Sequence, residues 1–435
     1  MTDAERLNAT IESASPALGR LLSPLGRRAA FPADIPFQAA EARGKELNAT
    51  IGQITDGSGG AIPLASLAAG LASLPAAARN RALLYSPVEG LRELREAWSR
   101  WQRRLVADPP SPEATTLPVG TVGLTHGLSL VADLFAGPGR PVVIPSPFWG
   151  NYRQAFALRT GAEVVAAPGF GVGGYRCEAI EEALDGRPED EPAVAILNLP
   201  SNPGGYSLTA DERDRVRHSL IRAAGRRPLL VLCDDAYAGL VYDAAVPRAS
   251  LFWELLGAHS NLVPVKADGV TKELAFFGGR VGFLTFPVPR GSEAETALES
   301  KVKCLLRATV GSPVATSQVL VLEALESGRA EEQLEEVRAL LDRRYRALQA
   351  ALGSMRSQHL RPLPFNSGCF ALVELAESVG ATADEVRRHL LEHQSTGLVS
   401  IASRYLRIAF CSVAEERIPE LVRRMERGVG EMVNT

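Results

Sequence analysis

The middle of the chain, from about residue 120 to residue 290, alternates short apolar segments with polar turns and helical segments. The apolar segments are nearly continuous, which is typical of strands buried on both faces. Strands of this kind belong to a mostly parallel sheet that helices cover on both sides. The sequence therefore predicts an α/β fold with strands at residues 142–144, 163–166, 194–199, 229–233, 262–265 and 281–286.

The two ends of the chain differ from this central region. Four prolines interrupt residues 1–50, so we expect a short helix followed by an irregular arm. Beyond residue 300, long helical segments lead into predicted strands at 371–375 and 406–410, which favours a smaller α+β domain. We therefore expect an N-terminal arm that contributes to the small domain (1–50), a large domain (51–300) and a small C-terminal domain (301–435).

The composition argues against several classes of protein. The 435 residues carry a formal net charge of -3, so there is no basic surplus for binding nucleic acid or an anionic membrane. The chain lacks both the apolar run of a membrane span and the pattern of a signal peptide at its N-terminus. Its five cysteines and six histidines form no ligand motif, so we expect reduced thiols, no metal site and a cytoplasmic location.

Lys272 follows a predicted strand and is one of only five lysines in the chain. A lysine in mostly apolar surroundings can lose its proton near neutral pH and attack a carbonyl group, which is Schiff-base chemistry. Arg280 lies eight residues later, and its fixed, forked charge suits a phosphate carried by the same carbonyl compound. Because most lysines are solvated surface groups, Lys272 is a candidate nucleophile only together with other residues at the sheet edge.

Further candidate residues follow the other predicted strands. Ligands bind at the carboxyl ends of parallel strands, so these positions are expected to meet in one site. Asp234 could pair with a protonated ring nitrogen, while its neighbour Asp235 is expected to face solvent. Tyr237 could reach an oxygen of the same ligand. Asn202 could offer an amide or only make a turn, and Trp149 could stack on a flat ligand or belong to the core.

Three other segments carry weaker signals. Residues 125–129 begin a predicted helix whose unpaired N–H groups could cradle a phosphate, although an ordinary helix start is the commoner case. The glycine-rich run 169–174 formally satisfies a dinucleotide-binding pattern, but it does not open directly into a helix, so we expect a flexible loop. The arginines of an amphipathic helix predicted at 91–105 are expected to form a solvated face.

The order and spacing of these residues resemble the class I/II aminotransferases of the fold-type I pyridoxal-phosphate enzymes, the aspartate-aminotransferase-like group. The resemblance covers about residues 45–410. It rests on the order and spacing of Asn202, Asp234, Lys272, Arg280 and Arg407. It implies a seven-stranded, mostly parallel sheet with a smaller α+β domain, pyridoxal 5'-phosphate as cofactor, and a homodimer with shared active sites. It also implies amino-group transfer between an α-amino acid and a 2-oxo acid.

The resemblance implies a role for each matching residue. Lys272, Asp234 and Tyr237 would be the catalytic set: Lys272 forms the Schiff base and moves the α-proton, and Asp234 pairs with the pyridine nitrogen. Asn202 and Tyr237 would contact the phenolic oxygen of the cofactor, and Trp149 would stack on its ring. The remaining cofactor contacts, mostly to the phosphate, are implied for Gly127, Leu128, Ser129, Thr271, Arg280 and, from the neighbouring subunit, Tyr85.

The substrate-binding residues are implied in the same way. Arg407 matches the arginine that binds the α-carboxylate, and Gly52 matches the glycine beside the substrate, where Asn202 also lies. Arg307 is similar in placement to the arginine that selects dicarboxylic substrates from the adjacent subunit. The sequence departs from the family at Gly269, where a serine is usual, and at Leu128, which we match to a small hydroxyl residue of the phosphate cradle.

Three functions remain open at this stage. The first is an aminotransferase. The second is an enzyme of the same fold that performs elimination, replacement or carbon–carbon bond formation on an amino acid such as S-adenosylmethionine, in the biosynthesis of a specialised metabolite. The third is a pyridoxal-phosphate-binding regulator, which would need a DNA-binding segment that residues 1–45 are too short and too proline-broken to supply.

Overall fold

The computed structural model describes residues 2–14, 22, 27–28, 35–171 and 174–433. Its strands are β1 (Leu47–Asn48), β2 (Val119–Thr121), β3 (Val142–Ser146), β4 (Val164–Pro168), β5 (Phe170–Gly171), β6 (Gly174–Tyr175), β7 (Ala193–Asn198), β8 (Leu229–Asp234), β9 (Leu262–Gly269), β10 (Gly282–Thr285), β11 (Leu360–Pro362), β12 (Ala371–Leu375), β13 (Thr396–Gly397), β14 (Val399–Ile401) and β15 (Tyr405–Ile408). Its α-helices are α1 (Asp3–Ala14), α2 (Ile35–Glu41), α3 (Ala65–Ala72), α4 (Ala76–Leu83), α5 (Arg92–Trp101), α6 (Gly123–Phe135), α7 (Ala179–Leu184), α8 (Ala210–Ala224), α9 (Phe252–Leu255), α10 (Val270–Glu273), α11 (Glu293–Thr309), α12 (Ala315–Glu326), α13 (Ala330–Gly353), α14 (Ala383–His393) and α15 (Ile418–Val433). None of the helices in these ranges is long and apolar enough to cross a membrane.

The larger sheet has seven strands in the order β2-β10-β9-β8-β7-β3-β4. β10 is antiparallel to both of its neighbours, β2 and β9, and all other neighbouring strands of this sheet are parallel. β8 is buried along its whole length, as its continuous apolar sequence requires. The carboxyl ends of β7, β8 and β9 lie side by side, with Asn198 opposite Asp234 and Asp234 opposite Ala267. The predicted mostly parallel, seven-stranded sheet is confirmed.

A second sheet is formed by the C-terminal part of the chain. Its four strands have the order β11-β12-β15-β14, and every neighbouring pair is antiparallel. Helix α14 packs beside this sheet and α15 packs against both α13 and α14. The N-terminal region reaches the same part of the molecule, since β1 pairs in parallel with β13. Arg407 lies on β15, opposite Leu372 of β12.

The six strands predicted in the central region are all present, with shifted ends. β9 runs on to Gly269, which brings the strand within three residues of Lys272. β2 was not predicted, because its three residues are too short to show a pattern. The long helical segments predicted beyond residue 300 include the two separate helices α12 and α13. In the glycine-rich run, β5 and β6 pair as two short strands instead of an irregular loop, and residues 172–173 lie outside the described ranges.

Helix α5 ends at Trp101, and its arginines do not all face solvent. Arg92 is exposed as expected, whereas Arg95 and Arg103 are buried. Arg95 donates to the carbonyl oxygen of Pro118 at 2.7 Å and pairs with Glu299 at 2.5 Å. The prediction of a solvated arginine face is therefore wrong for Arg95 and Arg103. Arg95 is held by residues outside the helix, which spacing along the helix does not reveal, and Arg103 donates to Ser99 and to Thr115.

Candidate active site

A cavity of ≈ 280 Å³ lies at the carboxyl ends of β7, β8 and β9. Strands of the large sheet and residues of the second sheet both contribute to its wall. The predicted site residues that line it are Gly52, Trp149, Asn202, Asp234, Tyr237, Thr271, Lys272, Arg280 and Arg407. The predicted site residues that do not line it are Tyr85, Gly127, Leu128, Ser129 and Arg307. Most side chains singled out from the strand ends thus meet in one place, as the parallel sheet requires.

Lys272 stands on α10, the single helical turn that follows β9. Its ammonium nitrogen lies 5.6 Å from the centroid of the Tyr237 ring and 5.9 Å from that of Phe277. Burial lowers the pKa of Lys272, and the nearby charge of Arg280 lowers it further. Within the described ranges the amine has no hydrogen bond or ion pair. An amine in this state can deprotonate and attack a carbonyl group.

Asp234 is the last residue of β8 and is buried. The Tyr152 hydroxyl donates to Asp234 Oδ2 at 2.5 Å, and the backbone N–H of Ala236 donates to Oδ1 at 3.1 Å. Burial raises the pKa of Asp234 to about 6, although both hydrogen bonds act in the opposite direction. Near neutral pH the group is a buried carboxylate that has no cationic partner in direct contact among the described residues, which suits a cationic atom of a ligand.

Arg280 packs against the first turn of helix α6. A Cβ atom placed on Gly123, whose φ is +72°, would lie 2.6 Å from Arg280 Nη2, so only a glycine allows this approach. Leu124 and Thr125 of the same turn line the cavity together with Arg280. Unpaired N–H groups at a helix start and a guanidinium group favour a phosphate or another anion.

The helix start lies two residues before the segment 125–129 that the sequence suggested. Gly127 and Leu128 therefore belong to the second turn of α6, where helical hydrogen bonds occupy their N–H groups. Both are buried, and Ser129 donates its hydroxyl to the Thr125 carbonyl oxygen at 3.1 Å. The first turn of α6 lies before the predicted one because the left-handed Gly123 opens the helix earlier than the sequence pattern indicated.

Arg407 is only 1% exposed and reaches the cavity from β15. Its Nη1 donates to Asn202 Oδ1 at 2.9 Å, and its Nη2 donates to the Thr50 carbonyl oxygen at 2.6 Å. Its Nε has no hydrogen-bond partner, and no carboxylate among the described residues pairs with it. Burial lowers the pKa of Arg407 to about 10. A buried guanidinium group without an anion suits the carboxylate of a ligand.

Gly269 precedes Lys272 by three residues and contacts β10 closely. A Cβ atom at Gly269 would lie 2.6 Å from the Val281 carbonyl oxygen and 2.8 Å from Gly282 Cα. The pairing of β9 with β10 therefore leaves no space for a side chain at this position. Thr271 carries a hydroxyl group two residues later, and its Oγ1 accepts a hydrogen bond from Arg280 Nη1 at 3.5 Å.

Tyr85 and Arg307 lie apart from the cavity in the single chain. Tyr85 is 99% exposed, and the preceding Leu83 and Leu84 are also exposed. Arg307 is exposed near the end of α11. The exposed Val310 follows it closely in the chain. Large apolar side chains exposed in a row are typical of a surface that contacts another protein chain.

Sequence reasoning missed several residues of the cavity wall. Tyr152 was the most important of these, because it donates the short hydrogen bond to Asp234. It lies just before the π-helix Arg153–Leu158, and the sequence offered no signal for a contact across 82 residues. Phe370, whose ring centroid lies 4.3 Å from the guanidinium carbon of Arg407, was also missed. Its place beside the predicted strand 371–375 could have indicated it.

Asp235 is buried, and the prediction that it faces solvent is wrong. Its Oδ2 accepts a hydrogen bond from Lys266 Nζ at 2.5 Å. Adjacent residues of a strand point to opposite faces, so Asp234 and Asp235 enter different surroundings. The partner on β9 was not visible from the sequence, because an ion pair between neighbouring strands depends on their register.

Comparison with known proteins agrees with this geometry. The sequence model of the family described as aminotransferase class I and II matches residues 45–425. The aspartate aminotransferase of Pyrococcus abyssi is 27% identical over 357 residues, which cover 80% of this chain and 84% of that protein. An aminotransferase from Anaerococcus prevotii has a similar structure, with a TM-score of 0.80 and 22% identity over 92% of this chain and 98% of that one.

A third relative was solved with a cofactor derivative. The α-aminoadipate aminotransferase of Thermus thermophilus, complexed with N-(5'-phosphopyridoxyl)-L-leucine, has a TM-score of 0.69 and 26% identity, covering 88% of this chain and 93% of that one. The fold and the site define a pyridoxal-phosphate-dependent transferase. The chain belongs to the aminotransferase class I and II family.

Proposed function

We propose that this protein transfers an amino group between an α-amino acid and a 2-oxo acid, with pyridoxal 5'-phosphate bound in the cavity at Lys272. The observation that carries the proposal is that one cavity contains an amine with a lowered pKa, a buried carboxylate and a buried guanidinium group without an anion. The matched relatives are named aminotransferases, which favours this reaction over the elimination or condensation reactions that the sequence left open.

The residues present fit the proposed cofactor along its whole length. The first turn of α6 and Arg280 suit the phosphate, because Gly123 lacks the Cβ that would block this corner. At the other end Asp234 suits the pyridine nitrogen, since a positive atom there would offset the cost of its burial. Trp149 suits the face of the ring.

Two further residues fit the oxygen of the ring. Tyr237 is buried beside the cavity, and no hydrogen bond of its hydroxyl to another described residue is present. Asn202 presents its amide to the same cavity and holds Arg407 with its Oδ1. We therefore propose that the Tyr237 hydroxyl and the Asn202 amide group donate to this oxygen.

In the proposed reaction Lys272 moves a proton. When bound, pyridoxal phosphate withdraws electrons from the α-carbon of the amino acid, which makes the α-proton acidic. The Lys272 Nζ, whose pKa burial lowers, would take this proton as a free amine and would deliver it to the aldehyde-derived carbon of the cofactor, so that the cofactor leaves the reaction in its amine form. Asp234 stays charged near neutral pH and keeps the ring nitrogen protonated.

Arg407 is the proposed binding residue for the α-carboxylate of the substrate. Its position is fixed by Asn202 and by the Thr50 carbonyl oxygen, so it is oriented before the substrate arrives. A carboxylate would supply the anion that this buried cation lacks within the described chain. Gly52 lies beside this end of the cavity, and a Cβ there would come within 2.3 Å of Phe370 Cζ.

We also propose a cytoplasmic homodimer. The exposed side chains of Leu83, Leu84 and Tyr85 support a chain-to-chain contact in this region. Tyr85 and Arg307 would then act in the cavity of the partner subunit, at the phosphate and at the side chain of an acidic substrate respectively. The five cysteines are free thiols, as suits a reducing compartment.

A single-turnover experiment tests the proposed function. The protein is loaded with pyridoxal phosphate, mixed with a panel of amino acids without a 2-oxo acid, and the cofactor and product are identified by mass spectrometry. We expect pyridoxamine phosphate and the matching 2-oxo acid. Lys272→Ala should form neither, while the control Lys301→Ala, at an exposed lysine, should behave as the unmodified protein does. An altered amino-acid skeleton with the cofactor unchanged would contradict amino-group transfer.

A further inference from the structure

Five charged side chains are buried next to the cavity without lining it. This buried ion cluster consists of Arg104, Asp235, Lys266, Asp268 and Glu273. The three carboxylates and Lys266 are at most 3% exposed, and the Arg104 side chain is 11% exposed. Because none of the five reaches the cavity, a contact with substrate or cofactor does not explain their burial.

One arm of the cluster joins the ends of β8 and β9. Lys266 Nζ lies 2.5 Å from Asp235 Oδ2 and 2.8 Å from Asp268 Oδ2. Asp268 also accepts hydrogen bonds from Trp98 Nε1 at 2.9 Å and from Gln102 Nε2 at 2.9 Å. Burial opposes the charge of Lys266, but the two carboxylates outweigh it and raise the pKa of this lysine. The arm is therefore a charged crosslink between two neighbouring strands and the segment around helix α5.

The second arm holds helix α10. Glu273 Oε1 lies 2.8 Å from Arg104 Nη1 and accepts a hydrogen bond from Trp101 Nε1 at 2.8 Å. The guanidinium carbon of Arg104 stands 3.8 Å from the centroid of the Trp101 ring. Burial raises the pKa of Glu273, and the charges of Asp268 and Lys266 also act on it, so the two arms form one electrostatic unit.

Stability alone is a weak reason for such a cluster. Removing charges from water costs free energy, and well-packed apolar residues of similar volume often stabilise a protein as much as a buried ion pair or more. The position of the cluster offers another reason. Asp235 directly follows Asp234, and Glu273 directly follows Lys272, so each arm fixes the backbone beside one proposed catalytic residue.

We propose that the buried ion cluster positions Asp234 and Lys272 relative to each other for binding pyridoxal phosphate. Its members are positioning residues, since they act through their neighbours in the chain. The inference rests on the proposed function, because a cofactor held at its ring nitrogen and at its aldehyde carbon requires a fixed distance between these two side chains. A displacement of about 1 Å at such a site can reduce the reaction rate by about 100-fold.

Two variants and one matched control test the inference. The neutral variant Asp235→Asn/Lys266→Met/Asp268→Asn removes the first arm as a unit, so no buried charge is left unpaired there. Glu273→Gln removes the carboxylate of the second arm, keeps the shape of the side chain and leaves Arg104, whose side chain is 11% exposed, without this partner. Glu96→Gln is the control, because it removes an exposed ion pair, Arg92–Glu96, on the same helix α5.

Each protein is freed of cofactor and titrated with pyridoxal phosphate while its visible absorption band is followed. The melting temperature of the cofactor-free form, the pH midpoint of the bound band, and kcat and KM separately are then measured. We expect the neutral variant to melt as the unmodified protein does, to bind the cofactor about tenfold more weakly or worse, and to shift the pH midpoint. Glu273→Gln should show the same changes to a smaller extent, and Glu96→Gln none.

Folded variants with the affinity and the pH midpoint of the unmodified protein would overturn the inference and leave the cluster a purely structural role. If the neutral variant does not fold, Glu273→Gln decides, and an unchanged affinity and midpoint would again overturn it. A separate outcome concerns the proposed function: an unmodified protein that forms no visible band with pyridoxal phosphate would overturn that function and the inference together.

Discussion

Lys266 and Arg407 are both buried cations, but their surroundings differ. Lys266, in the buried ion cluster, has two carboxylates within 2.8 Å. Arg407, in the cavity, is held by an amide and a carbonyl oxygen, and its Nε has no partner among the described residues. Accordingly the pKa of Lys266 is raised, whereas burial lowers that of Arg407 to about 10. A buried cation that the protein pairs with its own carboxylates holds the neighbouring backbone in place, whereas one that the described residues leave without an anion is available to an anionic ligand.

The same difference separates the two regions as a whole. The charges of the cluster meet partners within the chain, on neighbouring strands and on the segment after α5. In the cavity Lys272 and Arg280 have no carboxylate partner within the described part of the chain. Single substitutions that leave a buried charge of the cluster unpaired should therefore reduce stability strongly, while substitutions in the cavity should mainly reduce activity and reduce stability much less.

The largest effect is expected for Lys272→Ala. The proposed proton transfer is lost, so the rate of amino-group transfer should fall by about 10³-fold or more. The thermal stability of the cofactor-free protein should not fall, because the amine has no partner to lose within the described residues. Single-turnover rates and thermal unfolding check both parts. A large loss of stability would show that Lys272, like the cluster residues, contributes to the fold, and would contradict the difference between the two regions.

The next effect compares the two cations directly by removing each. Lys266→Met should destabilise the cofactor-free protein by about 3–5 kcal/mol, since Asp235 and Asp268 remain buried without a counter-ion. Arg407→Met should cost at most about 1–2 kcal/mol, because two acceptors lose a donor while an unbalanced buried charge disappears. Urea unfolding of both variants measures the difference. Equal destabilisation would show that ion pairing does not distinguish the two regions.

A smaller effect concerns the pH dependence at Asp234. Its folded pKa is raised to about 6, so the folded chain binds this proton more readily than the unfolded chain does. The group therefore adds stability to the cofactor-free fold as pH falls through about 6, and the gain is complete below the ordinary carboxyl pKa. Cofactor binding needs the carboxylate and should weaken over the same range, which titrations at several pH values would detect.

Tyr152→Phe sharpens this prediction. Without the hydroxyl that donates to Asp234, the pKa of this carboxyl should rise further, and the pH at which cofactor binding weakens should rise by about one pH unit. Tyr206→Phe is the matched control, because the Tyr206 hydroxyl donates to Glu212 and the residue does not line the cavity. An identical shift in both variants would mean that the hydrogen bond to Asp234 has no specific effect.

The smallest effect is expected at the surface. Glu96→Gln removes a surface ion pair whose side chains are 79% and 40% exposed, so the free energy of unfolding should change by less than about 0.5 kcal/mol. Urea unfolding of Glu96→Gln and Lys266→Met under the same conditions shows whether burial determines how much an ion pair contributes to the free energy of unfolding. A loss comparable with that of Lys266→Met would contradict this.

The sequence predicted the sheet and most of the cavity for one physical reason. Continuous apolar segments indicate strands buried on both faces, and the residues after such strands share one edge of the sheet. Asp234, Lys272 and Trp149 were found in this way, and they do line one cavity. The resemblance to a known family added Arg407, whose own strand belongs to the other sheet.

Features that depend on contacts between residues far apart in the chain could not be predicted from the sequence. Asp235 was expected to face solvent because its partner, Lys266, becomes adjacent only through the register of β8 and β9. Tyr152 gave no signal, because its bond to Asp234 requires the fold to exist first. The true start of α6 was missed because it depends on the left-handed Gly123, which packs against Arg280.

The close contact at Gly269 has a consequence for changes at this position. The resemblance noted in the sequence implies a serine here, three residues before the lysine. Here the Val281 carbonyl oxygen and Gly282 Cα occupy the space of any Cβ, so a serine side chain fits only if β10 moves away from β9. A substitution at this position therefore requires a second change in the pairing of these two strands. Adaptation of this site is therefore expected to proceed through Arg280, Thr271 and the first turn of α6.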